Sequence, residues 1–229
     1  MINNKTAFVT FFPIIPNNMG SSTVVNSRFK SWPKKKRLFQ ISHIKKINNE
    51  NIKILFIKKE TPINKIIKLP ILIFEIYKYL RPSRNKFLII EGASWIFYSF
   101  TTIFILKIIL SDCKIIYISH SVESEIRKKY SNKFIFFLTK LLEKLVFRFS
   151  NYSTTVSIKE KNKILKLYKK NTKIYPNAID IEEKNIKKKI SQFYIIYSGS
   201  YHYKPNKDAI DFLNQQIMPS ITKRFPKLK

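Results

Sequence analysis

The fold of this chain is constrained most by an alternation of short apolar runs with longer segments of helical length. Residues 7–12, 86–92 and 114–119 are runs of strand length, and a segment long enough for a helix follows each of them. Strands that are apolar along their whole length, not only at every second residue, are buried on both faces of a sheet. This order of elements predicts an α/β fold, a Rossmann-like parallel sheet with helices on both faces.

The same patterns predict the remaining elements of a first domain. Further strands are predicted at residues 37–42, 52–57 and 153–157. Helices are predicted at residues 21–32, 63–80, 95–110, 126–149 and 158–168. The helix at 63–80 is expected to be interrupted near Pro70, because proline has no backbone N–H to donate. Residues 126–149 are expected to form one helix, since their apolar side chains recur mainly at spacings of three and four.

A second domain is predicted to begin near the C-terminus. Residues 181–190 are charged and contain neither glycine nor proline, and we interpret them as a connection between domains. After them, residues 193–199 have the pattern of a buried strand. We therefore predict an N-terminal domain over residues 1–182. Residues 183–229 are predicted to be a linker and the first βα unit of a second Rossmann-like domain.

The turn after this last strand is a candidate phosphate site. In open α/β sheets, ligands bind beyond the carboxyl ends of the strands. Gly199 and Ser200 are therefore placed to offer backbone N–H groups to a phosphate, ahead of a helix that Asn206 can cap. An ordinary βα turn without a ligand is the alternative interpretation.

The chain carries a large positive charge. It has 44 Lys and Arg against 14 Asp and Glu, a formal net charge of +30. Such a charge favours anionic partners: nucleic acid, an acidic membrane surface or a phosphorylated substrate. The codon bias of an AT-rich genome would produce part of this excess of basic residues, without selection for an anionic partner. The basic residues of the helix at 126–149 have three alternative interpretations: a solvated face, a contact to an anionic membrane, or a nucleic-acid patch. The aromatic residues of this helix lie mostly on its apolar side, which weakens a base-stacking role.

Several classes of protein are disfavoured by what the sequence lacks. One cysteine, Cys113, excludes an internal disulfide, and the three histidines lie too far apart in sequence to suggest a metal site. No G-x-G-x-x-G, Walker A or G-x-S-x-G motif is present. Residues 95–110 are shorter than the roughly 20 apolar residues of a membrane-spanning helix. The N-terminus lacks a signal-peptide pattern, so we expect a cytoplasmic protein.

A histidine that follows a predicted strand is the main catalytic candidate. His120 lies between two serines directly after the strand at 114–119. Its imidazole can act as a general base or donate a hydrogen bond to a substrate hydroxyl, and a structural histidine is the alternative. Glu123, a few residues further on, either caps the following helix or contacts an acceptor.

Four segments together resemble the GT-B glycosyltransferases of the family 4 type, a retaining group that uses nucleotide-sugar donors. They are a first strand with a Pro/Gly loop and an arginine-bearing helix, a strand with a His/Glu loop, a strand and helix ending in P-N-x-x-D, and an entry into a second domain. They occupy residues 11–29, 117–130, 154–180 and 198–228. Order and spacing match the family over nearly the whole chain, and the last segment is the most specific.

The resemblance implies an enzyme with two Rossmann-like domains and an active cleft between them. The acceptor, a glycan or lipid-linked molecule of cell-surface polysaccharide synthesis, would bind the N-terminal domain, and the nucleotide sugar would bind the second. Neither a cofactor nor a metal is implied, since the nucleotide sugar is the substrate. The basic helix would hold the protein at the inner face of an anionic cell membrane.

The resemblance also assigns roles to individual residues. It places His120 in the loop near the reacting sugar, as the catalytic candidate. The residues matching the donor phosphate-binding turns are Gly20, Ser21, Gly199 and Ser200. The residues on the acceptor side are Arg28 and Glu123.

The sequence departs from this family in two ways. The usual Gly-Gly pair of the first loop is Gly20-Ser21 here. The chain also ends before the family's basic phosphate clamp and its Glu-x7-Glu element. We therefore expect a truncated transferase that is poorly soluble and inactive by itself, and turnover of a nucleotide sugar by the purified chain would refute this. The alternatives are a non-catalytic remnant or partner-binding domain and, favoured only by net charge, a basic nucleic-acid-binding protein.

Overall fold

A computed structural model of the chain divides into two compact units, Met1–Asp180 and Ile181–Lys229. Each unit is described by itself. The structure describes residues 4–15, 20–33, 35–44, 49–92, 94–178, 195–199 and 204–226.

The first unit is built on a seven-stranded sheet in the order β3-β2-β1-β4-β5-β6-β7. Its strands are β1 (Asn4–Thr10), β2 (Lys35–Ser42), β3 (Ile52–Phe56), β4 (Asn85–Glu91), β5 (Lys114–Ser119), β6 (Tyr152–Thr155) and β7 (Lys173–Ile174). All six pairings are parallel, which confirms the predicted Rossmann-like α/β fold. The strand order changes direction between β1 and β4, and this is the topological switch point of the sheet.

Helices cover both faces of this sheet. They are α1 (Gly20–Ser31), α2 (Pro62–Leu80), α3 (Ile96–Ile109), α4 (Glu123–Tyr130), α5 (Lys133–Phe149) and α6 (Ile158–Tyr168). Side chains of α2, α3, α5 and α6 share one hydrophobic core with Ala7 and Val9 of β1. Phe8, which points to the other face, packs in a second core with Val25 and Phe29 of α1. Because successive side chains of β1 point to opposite faces of the sheet, α2, α3, α5 and α6 pack on one face and α1 packs on the other.

The expected interruption of the second helix at Pro70 is wrong, because α2 runs continuously from Pro62 to Leu80. The proline removes one backbone hydrogen bond, but it lies on the exposed side of the helix. The opposite side buries Leu72 and Ile76 completely. Burial of that apolar side keeps the helix intact, since tertiary packing contributes more to helix stability than local propensity does.

The single helix expected at residues 126–149 is also wrong, since α4 and α5 are separate helices. Ser131 has an extended backbone that ends α4. The side chain of Asn132 then accepts a hydrogen bond of 2.9 Å from the N–H of Ile135 and so caps α5. Asparagine is among the strongest N-cap residues, and here its local hydrogen bond replaces a continued helix.

The second unit contains helical structure where it was predicted, but the described part contains no strand. Helix α7 (Lys204–Phe212) continues through a π-helical stretch (Leu213–Ile217) into α8 (Met218–Arg224). Asn206 lies inside α7 and not at its N-cap, which corrects the predicted capping role. Residues 195–199 form no β-ladder, and the side chain of Ile196 is exposed. A strand needs a neighbour for its backbone N–H and C=O groups, and no described strand pairs with this segment.

Gly92, directly after β4, allows a close approach between the ends of β4 and β5. Its N–H donates to the carbonyl oxygen of Ile118 at 2.8 Å. A Cβ atom at this position would overlap the hydroxyl of Tyr117 and lie 2.9 Å from the carbonyl oxygen of Ile118. By contrast, among the described residues no atom other than those of its chain neighbours and its own helix backbone lies within 4 Å of the Cβ position of Gly20.

We predict that Gly92→Ala lowers the free energy of unfolding by roughly 1–3 kcal/mol, the usual cost of overpacking a core. Gly20→Ala is the matched control and should change it by less than about 1 kcal/mol, because its methyl group meets open space. Urea denaturation followed by circular dichroism measures both changes. Equal losses in the two variants would contradict the described packing around Gly92.

Candidate active site

The candidate site lies at the carboxyl ends of the central strands, where ligands bind in open α/β sheets. Glu91 is the last residue of β4, and His120 directly follows β5. Arg28 comes from α1, the helix that follows β1 in the chain. The end of β4, the loop after β5 and the helix that follows β1 therefore supply these side chains beside the switch point.

The carboxylate of Glu91 binds both of the other side chains. Nη1 of Arg28 lies 2.7 Å from each oxygen of Glu91, and Nε2 of His120 lies 2.8 Å from Oε2. The side chains of Arg28, Glu91 and His120 are 4 %, 0 % and 12 % exposed, respectively. The structure thus brings together Arg28 and His120, two of the residues predicted from sequence, through a third that was not predicted.

A buried cluster of this kind is not explained by stability. Removing ionic groups from water costs several kcal/mol per ion, and the attraction between them roughly offsets this cost. Well-packed apolar side chains would stabilise the same volume at least as well. What the cluster does provide is a fixed orientation for the His120 ring.

The hydrogen bond to Glu91 determines which nitrogen of His120 is available to a ligand. A carboxylate only accepts hydrogen bonds, so Nε2 carries the proton that it donates to Glu91. In the neutral ring, Nδ1 is then an unprotonated acceptor. Within the described residues, Nδ1 of His120 has no hydrogen-bond partner. It can accept a hydrogen bond from a hydroxyl group of a bound molecule.

An aromatic residue covers the arginine of this cluster. The guanidinium of Arg28 lies 4.9 Å from the ring centroid of Tyr175, a distance typical of a cation–π contact. The N–H of Tyr175 donates to the carbonyl oxygen of Thr155 at 2.7 Å, which fixes the backbone just after β7. Sequence reasoning missed Tyr175, and no local pattern pointed to it.

Residues 11–15, the described part of the segment after β1, are anchored by two side chains. The hydroxyl of Ser22 donates to the carbonyl oxygen of Pro13 at 2.7 Å. Nζ of Lys65 donates to the carbonyl oxygen of Phe11 at 2.6 Å. These bonds fix residues 11–13 relative to the first turn of α1 and to α2.

Gly20 and Ser21, the predicted donor-phosphate residues, form the first turn of α1. The N–H groups and the dipole of a helix N-terminus favour an anion at that position. The step of eight positions from Gly20 to Arg28 corresponds to about 12 Å along the helix axis. This turn and Arg28 of the Glu91 cluster therefore lie on one helix, separated by roughly two turns.

Glu123 is not part of the cluster formed by Glu91. It lies in the first turn of α4, where its Oε1 accepts a hydrogen bond of 2.8 Å from Nε of Arg127. Of the other two predicted phosphate residues, Gly199 belongs to the second unit, and Ser200 lies outside the described residues. Among the described residues, no group of three or more His, Cys, Asp or Glu could hold a metal ion.

The N-terminus of α4, close to His120 in sequence, is occupied by the protein's own carboxylates. Glu143 of α5 accepts hydrogen bonds from the N–H groups of Glu123 and Ser124 at 2.8 and 3.1 Å. Glu160 of α6 accepts from the N–H of Val122 at 2.8 Å. These bonds satisfy donors that would otherwise be free to bind an external anion.

Burial raises the pKa of Glu143, although hydrogen bonds from Tyr168, Glu123 and Ser124 oppose the shift. Burial and the nearby Glu143 carboxylate also raise the pKa of the Tyr168 hydroxyl, which donates to Glu143. The site therefore disfavours the charged form of Glu143. The same carboxyl group nevertheless caps α4 and accepts the hydrogen bond of the Tyr168 hydroxyl.

Known proteins resemble this chain in structure but not in sequence. No family model matches the chain, and no curated protein matches it in sequence. A protein of Listeria monocytogenes assigned as a UDP-N-acetylglucosamine 2-epimerase has a TM-score of 0.45 and 10 % identity, over 72 % of this chain and 42 % of that one. The N-terminal domain of Candida albicans trehalose-6-phosphate phosphatase has a TM-score of 0.45 and 8 % identity, over 73 % and 43 %. The chain thus spans less than half the length of either structure, and at this similarity neither bears on its function.

We predict that Glu91→Gln lowers the free energy of unfolding by about 3–5 kcal/mol, because Arg28 would remain buried without its counter-charge. The matched control is Glu75→Gln, which removes the partially exposed partner of Lys53 and should cost less than about 1 kcal/mol. Urea denaturation at neutral pH measures both losses. A loss in Glu91→Gln no larger than that of the control would contradict a buried ion pair at this site.

We predict a distinctive pH dependence from Glu143. Because its folded-state pKa is raised, the folded protein holds this proton more tightly than the unfolded chain does. Its contribution is fully present below the unfolded pKa of about 4.3 and is lost as the pH rises through the folded pKa. The stability advantage of the wild type over Glu143→Gln should therefore shrink as the pH rises above about 4.3.

Urea denaturation of the two proteins at a series of pH values measures this difference, in which the other carboxyl groups largely cancel. A difference that stays constant or grows with pH would show that the pKa of Glu143 is not raised.

Proposed function

We propose that this chain is the acceptor-side part of a sugar-nucleotide enzyme, a retaining glycosyltransferase of the GT-B family 4 type that its sequence resembles. The observation that carries the proposal is the buried Arg28–Glu91–His120 cluster beside the switch point of a Rossmann-like sheet. Its acceptor would be a glycan or a lipid-linked molecule.

In this proposal, His120 positions a sugar hydroxyl. Nδ1 of the ring, unprotonated when Nε2 donates to Glu91, accepts the hydrogen bond of that hydroxyl. Glu91 and Arg28 act through His120 as positioning residues, since Glu91 fixes the ring and Arg28 balances the carboxylate charge. A ring held in this way needs no rearrangement when the sugar binds, which lowers the entropic cost of alignment.

The first turn of α1 is proposed to bind the donor diphosphate. Gly20 and Ser21 present backbone N–H groups at a helix N-terminus, and the space around Gly20 is open. Such a position binds phosphate through N–H groups and the helix dipole. The separation of about 12 Å along α1 between this turn and Arg28 leaves room for a diphosphate at one end and a sugar at the other. Gly199 and Ser200 remain proposed as further phosphate ligands, and Glu123 as an acceptor contact.

We predict that a nucleotide sugar shifts the ring resonances of His120. The chain has three histidines, His43, His120 and His202, so that histidine-selective NMR spectra are simple to assign. UDP-glucose, UDP-N-acetylglucosamine and GDP-mannose are added separately to the purified chain. At least one should shift the His120 signals saturably, because its sugar approaches Nδ1, while UDP or GDP alone should leave them in place.

His43 is the internal control, since its ring is about half exposed and pairs with Glu60. A shift of equal size at His43 would indicate non-specific binding. If none of the three nucleotide sugars shifts His120, the proposal fails. If DNA shifts the spectrum instead, with steep salt dependence, the nucleic-acid alternative is favoured.

A further inference from the structure

The outer surface of the helix layer on one side of the sheet is apolar. Helix α3 packs between α2 and α5. Exposed apolar side chains on these three helices form what we define as the apolar helix face: Ile67, Ile71, Phe74, Ile108, Phe137 and Leu141. Each of these side chains is between 45 % and 65 % exposed. Single exposed hydrophobic residues are normal in proteins, but a cluster of this size on one surface marks an interaction site.

A groove between α2 and α3 extends this surface inward. It has a volume of about 380 Å³. Its walls are formed chiefly by apolar side chains, among them Ile66, Pro70 and Phe74 of α2 and Phe97, Ile105 and Ile109 of α3. Phe74 belongs to both features, so the groove adds to the apolar helix face.

The charge around the apolar helix face is positive. The exposed basic residues on these helices are Lys78, Lys133, Lys140, Lys144 and Arg148. The acidic residues on the same helices face elsewhere or are already bound. Glu75 pairs with Lys53, and Glu143 is completely buried, where it caps α4. The surface therefore combines exposed apolar side chains with positively charged lysine and arginine side chains.

We propose that the apolar helix face docks the protein onto an anionic lipid bilayer. Apolar side chains of surface helices insert into the boundary between headgroups and acyl chains, and lysine and arginine near them attract anionic headgroups. Long basic side chains can also bury their stems in the interface while their charges reach the phosphates. None of the described helices is long and apolar enough to span a membrane, so the contact is peripheral for this part of the chain.

Charge favours a bilayer over a second copy of the chain. In a two-fold symmetric dimer each patch contacts its own copy. The basic residues around the apolar helix face would then approach each other without acidic partners, which is destabilising. This inference rests only on the surface of the first unit and does not depend on the proposed activity.

The test is flotation of the purified chain with two kinds of vesicle. One is pure phosphatidylcholine, and the other is phosphatidylcholine mixed in equal parts with phosphatidylglycerol. We expect strong binding to the anionic vesicles, weak binding to the zwitterionic ones and partial release by high salt. Because a chain of net charge +30 is attracted to any anionic surface, variants must show which face makes the contact.

The apolar part is tested by the triple variant Ile67→Gln, Ile108→Gln and Phe137→Gln, with one substitution on each helix. We expect its affinity for anionic vesicles to fall by about tenfold or more, because the inserted area is lost. The control is Tyr152→Gln, at a side chain that is 55 % exposed. Tyr152 pairs in register with Ile116, which packs in the core on the α1 side of the sheet. Its replacement should leave the affinity unchanged.

The charged part is tested by Lys140→Gln with Lys144→Gln on α5. This pair should also lower the affinity by about tenfold, because each cation near the surface contributes to the attraction. The control pair is Lys30→Gln with Lys35→Gln, which removes the same charge from exposed positions on α1 and β2. Circular dichroism and thermal melting verify that all the variants are folded.

Three results would overturn the proposal. The wild-type chain fails to float with anionic vesicles, or the control variants lose as much affinity as the test variants. The third is that the chain forms a dimer that the apolar triple variant dissociates, while vesicle binding stays unchanged; a second copy would then be the occupant of the face.

Discussion

The carboxyl edge of the sheet depends on one buried carboxylate, that of Glu91. It lies at the end of β4, a central strand, and is bound on one side by Arg28 and on the other by His120. The next residue, Gly92, has no Cβ, and this lets the end of β5 approach closely enough for His120 to reach the carboxylate. One acidic group at the switch point thus connects a helix on one side of the sheet with the loop after β5.

The loop that carries His120 is held at a second point by carboxylates from the opposite helix layer. Glu143 and Glu160 bind the backbone N–H groups at the start of α4, and Glu91 binds the histidine ring. Both attachments use side chains from rigid helices or strands. A histidine supported in this way is preorganised, as a binding or catalytic group must be. The buried carboxylates therefore serve the geometry of the site more than the stability of the fold.

The parts of this structure that could be predicted are those determined by residues close together in sequence. Strand β5 and helix α6 have the predicted bounds, because their apolar patterns are local and unambiguous. The expected break at Pro70 and the missed break before Asn132 show tertiary packing and a local cap overriding periodicity. Glu91 was missed because its partners lie 63 and 29 residues away in the chain. The sequence signal that could have identified Glu91 is an acidic residue at the end of a buried apolar strand. No comparable signal identifies Tyr175.

The central claim is that Glu91 fixes the ring of His120 in the tautomer that carries the proton on Nε2, so that Nδ1 is unprotonated. The most direct measurement is a long-range ¹H–¹⁵N correlation spectrum of the histidine rings above the pH at which they are protonated. It should show His120 as a single tautomer with Nε2 protonated, while the Glu91→Gln variant, if folded, loses this preference. A proton on Nδ1 of His120, or a mixture of tautomers like that of a free imidazole, would contradict the account.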